Sequence, residues 1–525
     1  MNKALADVPV APNLTSKSDW TQVEPLVYQR PCIGQEHSAS FNQNVADGHT
    51  ELSLGVNFSV NLTPQEVIEK SKKAWTNCRL LHPEIAVELS TDFSIPQMMT
   101  YRILTDDEKA QEWVDETFVL VEDRNYEEVL EMTYNRRLLT KGKQSMMYLV
   151  MDTRSLLADE LRNHCIVWNV SHAVTDAFSI IEFLNSFLKE IAKGSSDDIL
   201  HGEDANPLSV VKHLPISPLV SYEKMYKPSA KEKEDSLRQA KEQLALYKDK
   251  LSQSVAMYPE EHHGLRQHRT HCLVTYFSLQ ESLRILNFLK ETDLSITYAG
   301  AAATVMAAHQ MYGKGHETGA LLGMTRNARR WVATVISTTG RVAIPMATDV
   351  VFLWIPFDQL KKGKTRKAQL IALGQEIKNQ LAKHLLSPHY LASVPYMSDI
   401  YVEGLQTQQQ LKQALLEAKN VERETEEIVA ASSPGFSSQG AVALIKEFSS
   451  GPTRIVRHNL THTGRQVGTS PWIGMYSLDS CLRFSIGFDA KYYSPKPMNK
   501  FLQLVRENVA SLVEESEHHT TNSRL

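Results

Sequence analysis

The chain has 525 residues, more than one ordinary hydrophobic core accommodates, so two large domains or two halves with a shared interface are expected. Hydrophobic residues make up 42% of the chain and charged residues 22%, a composition typical of globular proteins. The formal net charge of -5 gives no indication of a basic surface for nucleic acid or anionic lipid. Five scattered cysteines without a CxxC pair favour neither a disulfide framework nor a zinc ribbon. Small molecules are therefore the expected partners.

The two ends of the chain carry few structural signals. Residues 1–20 predict a loose lead-in without the apolar core of a signal peptide, and residues 516–525 predict a disordered tail. No apolar run reaches the roughly 18 residues that a membrane span needs. Together with the unpaired cysteines, this predicts a cytoplasmic protein without a membrane span, which we expect to be a monomer.

Strand and helix patterns alternate through residues 21–227, the predicted N-terminal domain. Thr50–Val60 alternates apolar and polar residues like a half-buried strand, and residues 63–66 (TPQE) supply the N-cap, first position and capping box of a helix. Residues 164–170 are too apolar for an edge and predict a strand buried on both faces. Residues 180–191 then repeat apolar side chains at helical spacing.

A charged helix and a polar linker, at residues 228–268, separate this region from a second alternation at residues 269–515. The second alternation includes a small-residue helix at 297–313 and ends in an amphipathic helix. Ser432–Gly440 (SSPGFSSQG) is rich in turn-forming residues and predicts a loop. The mixed order of strands and helices favours layered α/β sandwiches.

His172 and Asp176 lie four residues apart where the buried strand gives way to a helix. Asp176 suits a helix N-cap, and among 19 histidines such a spacing arises by chance about once, so the spacing alone is weak evidence. Capping does not explain a histidine at the exit of a buried strand. A neutral imidazole there can take a proton from a hydroxyl that attacks a carbonyl, while Asp176, paired with a basic residue, keeps the corner rigid.

This strand, motif and helix resemble the HxxxD acyltransferase superfamily, which includes chloramphenicol acetyltransferase, plant BAHD acyltransferases and condensation domains. Residues 74–85 (AWTNCRLLHPEI) are similar to the early helix and His-Pro turn of condensation-type members, and residues 295–309 (SITYAGAAATVMAAH) to their small-residue helix. Residues 32–42 and 47–56 are most similar to the fungal trichothecene 15-O-acetyltransferase group. The resemblance implies two chloramphenicol-acetyltransferase-like α/β sandwich domains with the active site in a channel between them.

The resemblance also implies roles for individual residues. His172 matches the general base of the family and Asp176 its structural partner. The arginine that pairs with this aspartate matches Arg326 in GALLGMTRNARR, with Arg329 and Arg330 as close competitors.

The sequence departs from the family pattern at several positions. Ser171 precedes His172 where condensation domains carry a second histidine, and Ala177 follows Asp176 where many members have glycine. The DFGWG motif of plant-type members is absent, which leaves the CoA contacts unassigned. Because the loop at 432–440 resembles the Ser-Asn-Leu-Gly segment of condensation domains, Ser437 or Ser438 is the candidate oxyanion donor.

The activity implied by the resemblance is acyl-CoA-dependent O-acyl transfer, with acetyl-CoA as cosubstrate and no bound cofactor. The expected acceptor is a small apolar hydroxylated fungal metabolite, first of all a trichothecene with a free 15-hydroxyl. No metal is expected, since the histidine-rich segments 262–271 and 458–462 are weak candidates. Two alternatives stay open: a condensation-type enzyme that uses a carrier-protein thioester, and a catalytically silent relative that acts in binding.

Overall fold

A computed structural model describes the following parts of the chain: residues 20–90, 97–122, 124–138, 142–151, 162–194, 210–211, 213–260, 267–336, 346–419 and 432–514. The predicted lead-in, apart from Trp20, and the predicted tail lie outside the described residues, as do residues 261–266 of the predicted linker.

Strands and helices are numbered in chain order. The first half contains β1 (Thr21–Glu24), β2 (Val27–Pro31), α1 (Gln35–Val45), β3 (Leu52–Val60), α2 (Pro64–Leu81), β4 (Glu88–Leu89), β5 (Met98–Arg102), α3 (Asp107–Thr117), β6 (Phe118–Val121), α4 (Tyr126–Asn135), β7 (Ser145–Met151), β8 (Arg162–Val170) and α5 (Ala177–Lys193). The four strands β1, β2, β5 and β4 form a small sheet in that order.

The second half begins with α6 (Pro218–Tyr226), α7 (Ala230–Lys250), β9 (Thr270–Tyr276), α8 (Leu279–Glu291), α9 (Ile296–Tyr312), β10 (Gly319–Asn327), α10 (Arg329–Ile336), β11 (Thr348–Pro356), α11 (Asp358–Lys361), α12 (Arg366–Leu385) and α13 (Val394–Lys419). It ends with β12 (Gly435–Ala441), β13 (Glu447–Ser450), β14 (Thr453–Gly464), β15 (Trp472–Leu478), β16 (Cys481–Asp489) and α14 (Pro495–Ala510).

The capping residues identified in the sequence lie at the N-termini of the helices, as predicted. Thr63 Oγ1 accepts a hydrogen bond from the Glu66 amide at 3.3 Å, and Glu66 Oε2 accepts one from the Thr63 amide at 2.7 Å, so the capping box of α2 is confirmed. The charged helix predicted before the linker is α7, which has its own capping box between Ser229 and Glu232.

The first large sheet has six strands in the order β13, β14, β3, β8, β7, β6. Its central strand β8 pairs with β3 on one side and β7 on the other. Residues 164–170 are all buried, with Ile166 and Trp168 in one core and Cys165 and Val167 in another, which confirms the prediction of a strand buried on both faces. One face packs against α2 and α5, where Trp75, Trp168 and Phe183 form an aromatic cluster with Trp168 and Phe183 centroids 4.0 Å apart. The core on this face, beneath the turn between β8 and α5, is therefore aromatic and close-packed.

Two strands of the first sheet come from the second half of the chain. β14 pairs antiparallel with β3 from Ile455 opposite Val60 to Gly464 opposite Leu52, and β13 pairs with β14. The predicted second domain, residues 269–515, thus gives one long hairpin to the sheet of the first. Since an unpaired β3 would expose a row of backbone polar groups, this hairpin converts β3 from an edge to an inner strand.

The second large sheet has the order β11, β10, β12, β15, β16, β9. Helices α9, α12 and α14 share a hydrophobic core with one of its faces. The small-residue helix α9 approaches closely: a Cβ on Gly300 would lie 2.8 Å from Phe436 Cζ, so glycine is required there. Among the described helices, none is both long and apolar enough to cross a bilayer. The two sheet-rich α/β layers predicted from the resemblance are confirmed.

Candidate active site

The turn between β8 and α5 carries the candidate catalytic histidine. Val170 ends β8 opposite Leu52 of β3, so the turn starts at the end of the central strand. The Ser171 amide donates to the Gln144 carbonyl at 2.9 Å, and the Val174 amide donates back to the Ser171 carbonyl at 3.3 Å. These bonds fix the backbone on both sides of His172.

His172 is half-buried, and its ring orientation is set by a backbone group. Its Nδ1 lies 2.9 Å from the carbonyl oxygen of Thr175. Because a carbonyl oxygen only accepts, Nδ1 carries the proton in this bond, and the neutral ring has its free lone pair on Nε2. The turn therefore holds the imidazole in the tautomer that a general base at Nε2 requires.

Asp176 caps α5, as its position in the sequence predicts. Its Oδ1 accepts hydrogen bonds from the amides of Phe178 at 3.1 Å and Ser179 at 3.2 Å, and the residue is 1% exposed.

The same carboxylate also binds the second half of the chain. Arg329, at the start of α10, donates through Nη2 to Oδ1 at 2.6 Å and through Nη1 to Oδ2 at 2.9 Å. The Ala347 amide donates to Oδ2 at 2.9 Å. A bidentate guanidinium and a backbone amide thus join the turn between β8 and α5 to the second sheet, next to the ends of β10 and β11.

The balance of burial and pairing decides the charge of Asp176. Burial alone raises the pKa of this carboxyl, but the Arg329 charge, the Arg329 hydrogen bonds and the Ala347 amide outweigh it and hold the pKa below its ordinary value. Because the folded pKa is depressed, the pair contributes stability above the unfolded value of about 3.9 and loses it as pH falls through the folded value.

The prediction that Arg326 pairs with Asp176 is wrong. Arg326 lies within β10 opposite Asp349 of β11, donates to that carboxylate at 2.9 and 2.5 Å, and places its guanidinium 4.1 Å from the Tyr390 ring centroid. Arg326 is still within the strand and pairs with its cross-strand neighbour Asp349, whereas Arg329 lies after the strand, at the start of α10. Of the two competitors, Arg329 reaches Asp176, and Arg330 bonds the Leu385 carbonyl.

The segment predicted as a loop at 432–440 is largely strand β12, which runs parallel between β10 and β15. Ser437 Oγ lies 3.3 Å from Thr325 Oγ1, and Ser438 Oγ lies 2.7 Å from Thr297 Oγ1. Neighbouring residues of a strand point to opposite faces, and Thr297 belongs to the covering helix α9. Ser438 therefore lies on the helix-covered face and Ser437 on the other.

The face that carries Ser437 is turned toward the first half. Ser437 aligns with Gly474 of β15, and Tyr476, on the same face two residues later, donates to the Leu460 carbonyl of β14 at 3.0 Å. Arg483 of β16 donates to Asn459 of β14 at 2.5 Å. Of the two serines, only Ser437 faces the space between the halves.

Sequence reasoning missed the Ala347 amide and the Thr175 carbonyl. Both act through backbone atoms, so no residue type marks them in the sequence. Their roles depend on where the chain brings residue 347 and how the turn closes at residue 175.

The histidine-rich segments have other partners. His268 Nδ1 bonds Asp489 at 2.6 Å, and His458 Nε2 bonds Ser59 at 2.7 Å. Within the ranges that the structure describes, no group of three His, Cys, Asp or Glu side chains could hold a metal ion. Residues 262–266 lie outside those ranges.

Two curated fungal proteins match nearly the whole chain. The acyl-CoA-dependent acyltransferase MAC1 of Mycosarcoma maydis is 35% identical over 520 residues, which cover 92% of this chain and 88% of that protein. MAC1 of Pseudozyma antarctica (strain T-34) is 37% identical over 530 residues, covering 93% and 95%. No protein-family model matches the chain.

Among solved structures, TRI3 trichothecene 15-O-acetyltransferase from Fusarium sporotrichioides superposes with a TM-score of 0.77. The match covers 96% of this chain and 100% of that chain, at 17% sequence identity. It shows that the two share a fold.

We predict that Asp176→Asn lowers the free energy of unfolding by about 3 kcal/mol, because Arg329 then loses its charged partner in a poorly solvated place. Chemical denaturation of Asp176→Asn, Arg329→Ala and the double variant gives the coupling between the two side chains. We expect a coupling of at least about 1 kcal/mol.

Arg326, which pairs with Asp349, supplies the matched control. Asp176→Asn combined with Arg326→Ala should give additive losses, whereas Arg326→Ala with Asp349→Asn should couple. Additive losses for Asp176 with Arg329, or coupling of Asp176 with Arg326, would contradict the pairing.

Proposed function

Since this chain belongs to the acyl-CoA-dependent acyltransferase family that includes MAC1, we propose that it transfers an acyl group from a CoA thioester to a hydroxyl. We place the reaction at His172, in a channel between the two sheet-bearing halves. The observation that carries the proposal is the bond from His172 Nδ1–H to the Thr175 carbonyl, which leaves Nε2 as a proton acceptor.

In this mechanism, His172 Nε2 takes the proton from the acceptor hydroxyl as its oxygen attacks the thioester carbonyl. The resulting tetrahedral intermediate collapses, the C–S bond breaks, and the imidazolium returns the proton to the departing thiolate. The acyl group moves directly between substrates, so no covalent enzyme intermediate forms. Asp176 and Arg329 hold the turn from behind and touch neither substrate.

The intermediate carries negative charge on the former carbonyl oxygen and needs a hydrogen-bond donor. We assign this role to Ser437. Its hydroxyl lies on the face of the second sheet that turns toward the first half, beside Thr325 near the end of β10. We do not assign it to Ser438, because the Ser438 hydroxyl bonds Thr297 on the opposite face.

We further propose acetyl-CoA as the donor and a small apolar fungal alcohol as the acceptor, first of all a trichothecene with a free 15-hydroxyl. The support is the sequence resemblance at residues 32–42 and 47–56, together with the fold shared with TRI3. All five cysteines are free thiols, which suits the reducing cytoplasm in which we place the enzyme.

Replacing His172 with alanine should lower kcat by about 100-fold, the loss typical of a removed general base. Thiol release from the acyl-CoA measures the rate, and circular dichroism checks the fold. His458→Ala, which removes an exposed histidine bonded to Ser59, is the control and should retain the wild-type rate. Near-normal turnover in His172→Ala would remove this residue from the mechanism.

The paired serines test the oxyanion assignment. Ser437→Ala should lower kcat about 100-fold because a donor to the transition state is lost, with the KM for acyl-CoA little changed. Ser438→Ala, one residue away on the opposite face, should keep the wild-type kcat. Equal effects of the two substitutions would contradict the assignment.

The substrate proposal is tested by incubation with a 15-deacetylated trichothecene and either acetyl-CoA or longer acyl-CoA thioesters. Mass spectrometry should show one added acetyl group that depends on His172, with acetyl-CoA preferred. Turnover of another alcohol, or of a longer acyl chain, would contradict the trichothecene or acetyl choice and keep the acyltransferase. Amine acylation from a carrier-protein thioester, or binding of acyl-CoA without thiol release, would favour the condensation-type or the catalytically silent alternative.

A further inference from the structure

A buried chain of three polar side chains lies behind the active-site turn. Ser171 precedes His172, Gln43 lies on α1, and Glu51 comes directly before β3. Their exposures are 0%, 5% and 1%, so each is removed from water. Buried polar groups of this kind require hydrogen-bond partners.

Hydrogen bonds connect the three side chains in one line. Gln43 Nε2 donates to Glu51 Oε1 at 3.0 Å, and Ser171 Oγ donates to Gln43 Oε1 at 2.6 Å. The Ala173 amide donates to Ser171 Oγ at 3.2 Å. The line therefore ends on the two residues that flank His172.

The acceptor character of Glu51 fixes the direction of every bond in this line. An ionised carboxylate only accepts, so the amide nitrogen of Gln43 must face it and the amide oxygen must face Ser171. The Ser171 proton then points at Gln43, which leaves an oxygen lone pair for the Ala173 amide. The second oxygen of Glu51 accepts from the Leu138 amide at 3.0 Å, so both its oxygens are engaged.

We propose that Glu51 and Gln43 are positioning residues for His172, which act through the Ser171 hydroxyl to keep the turn, and with it the imidazole tautomer, in the reactive arrangement. The inference rests on the proposed function, in which His172 Nε2 is the base. Neither Glu51 nor Gln43 is assigned contact with a substrate.

The charge of Glu51 depends on pH. Burial raises the pKa of Glu51 to about 7, against the opposing effects of the Leu138 amide, the Gln43 amide and the charges of Arg137 and Arg465. Assays are therefore run at about pH 8.5, above this value, where the carboxyl is ionised.

Two single substitutions perturb the line with little change in volume. Ser171→Ala removes one oxygen and frees the Ala173 amide. Glu51→Gln introduces an amide whose nitrogen opposes either the Leu138 amide or the Gln43 nitrogen. If the Gln43 amide turns over to meet it, the Ser171 proton loses its acceptor, so one hydrogen bond of the line is lost in either case. We expect each to lower kcat about 10-fold or more through displacement of the base, with the KM for acyl-CoA little changed.

Exchanging the amide and the carboxylate between positions 43 and 51 should restore the activity that Glu51→Gln loses. In the double substitution Gln43→Glu with Glu51→Gln, the carboxylate at 43 accepts from Ser171 and from the amide nitrogen at 51, while the amide oxygen at 51 accepts from Leu138. All bonds are restored, so kcat should return to within about threefold of the wild type. A reversed pair that regains stability but not kcat would overturn the proposal.

The matched control is the buried amide–carboxylate pair of Asn77 and Glu190, which joins α2 to α5 at 3.2 Å. Glu190→Gln should lower the free energy of unfolding and leave kcat unchanged. Wild-type kcat in both Ser171→Ala and Glu51→Gln, or an equal loss in Glu190→Gln, would overturn the positioning role.

A spectroscopic readout separates this inference from the proposed function. Ring nitrogen resonances of His172, assigned with His172→Asn, should show the Nδ1–H tautomer in the wild type and a mixture in Ser171→Ala. If these resonances are observed but the wild type transfers no acyl group, the proposed function is refuted and the positioning of the ring is upheld. Unchanged ring resonances in Ser171→Ala, in an enzyme that turns over, would refute the positioning instead.

Discussion

The buried carboxylate of Asp176 is the interaction on which the candidate site depends. One side chain caps α5 through two amides at the start of that helix and receives Arg329 and the Ala347 amide from the second half. Removing either charge would leave the other uncompensated in a place with little water, at a cost of about 3–5 kcal/mol. The same carboxylate therefore holds both the start of α5 and the second sheet.

Different groups orient His172 and hold the turn in place. The Thr175 carbonyl orients the imidazole ring, whereas the Asp176 carboxylate pairs with Arg329 and does not contact the ring nitrogen Nδ1. The imidazole keeps its tautomer without a charged neighbour at Nδ1. Behind it, the line from Glu51 to Ser171 adds a second support that reaches the turn from α1 and β3.

The halves are also joined through the sheet itself. β14 extends the first sheet, while its residue Arg457, buried at the interface, pairs with Asp479 in the turn between β15 and β16 at 2.8 Å. The bonds from Tyr476 to Leu460 and from Arg483 to Asn459, and the Asp176 pair, add further connections between the halves.

The sequence by itself determined what depends on local pattern: the capping box at Thr63, the buried strand β8, the small-residue helix α9, and the place of His172 and Asp176 between a strand and a helix. Periodicity and capping are short-range, so neighbouring residues specify them. Only the tertiary structure decided which arginine meets Asp176, that residues 435–441 form a strand, and that β14 joins the first sheet. Each of these features depends on which residues far apart in the chain come into contact. Strand register and the burial of charge determine those contacts, and a local sequence pattern contains information on neither.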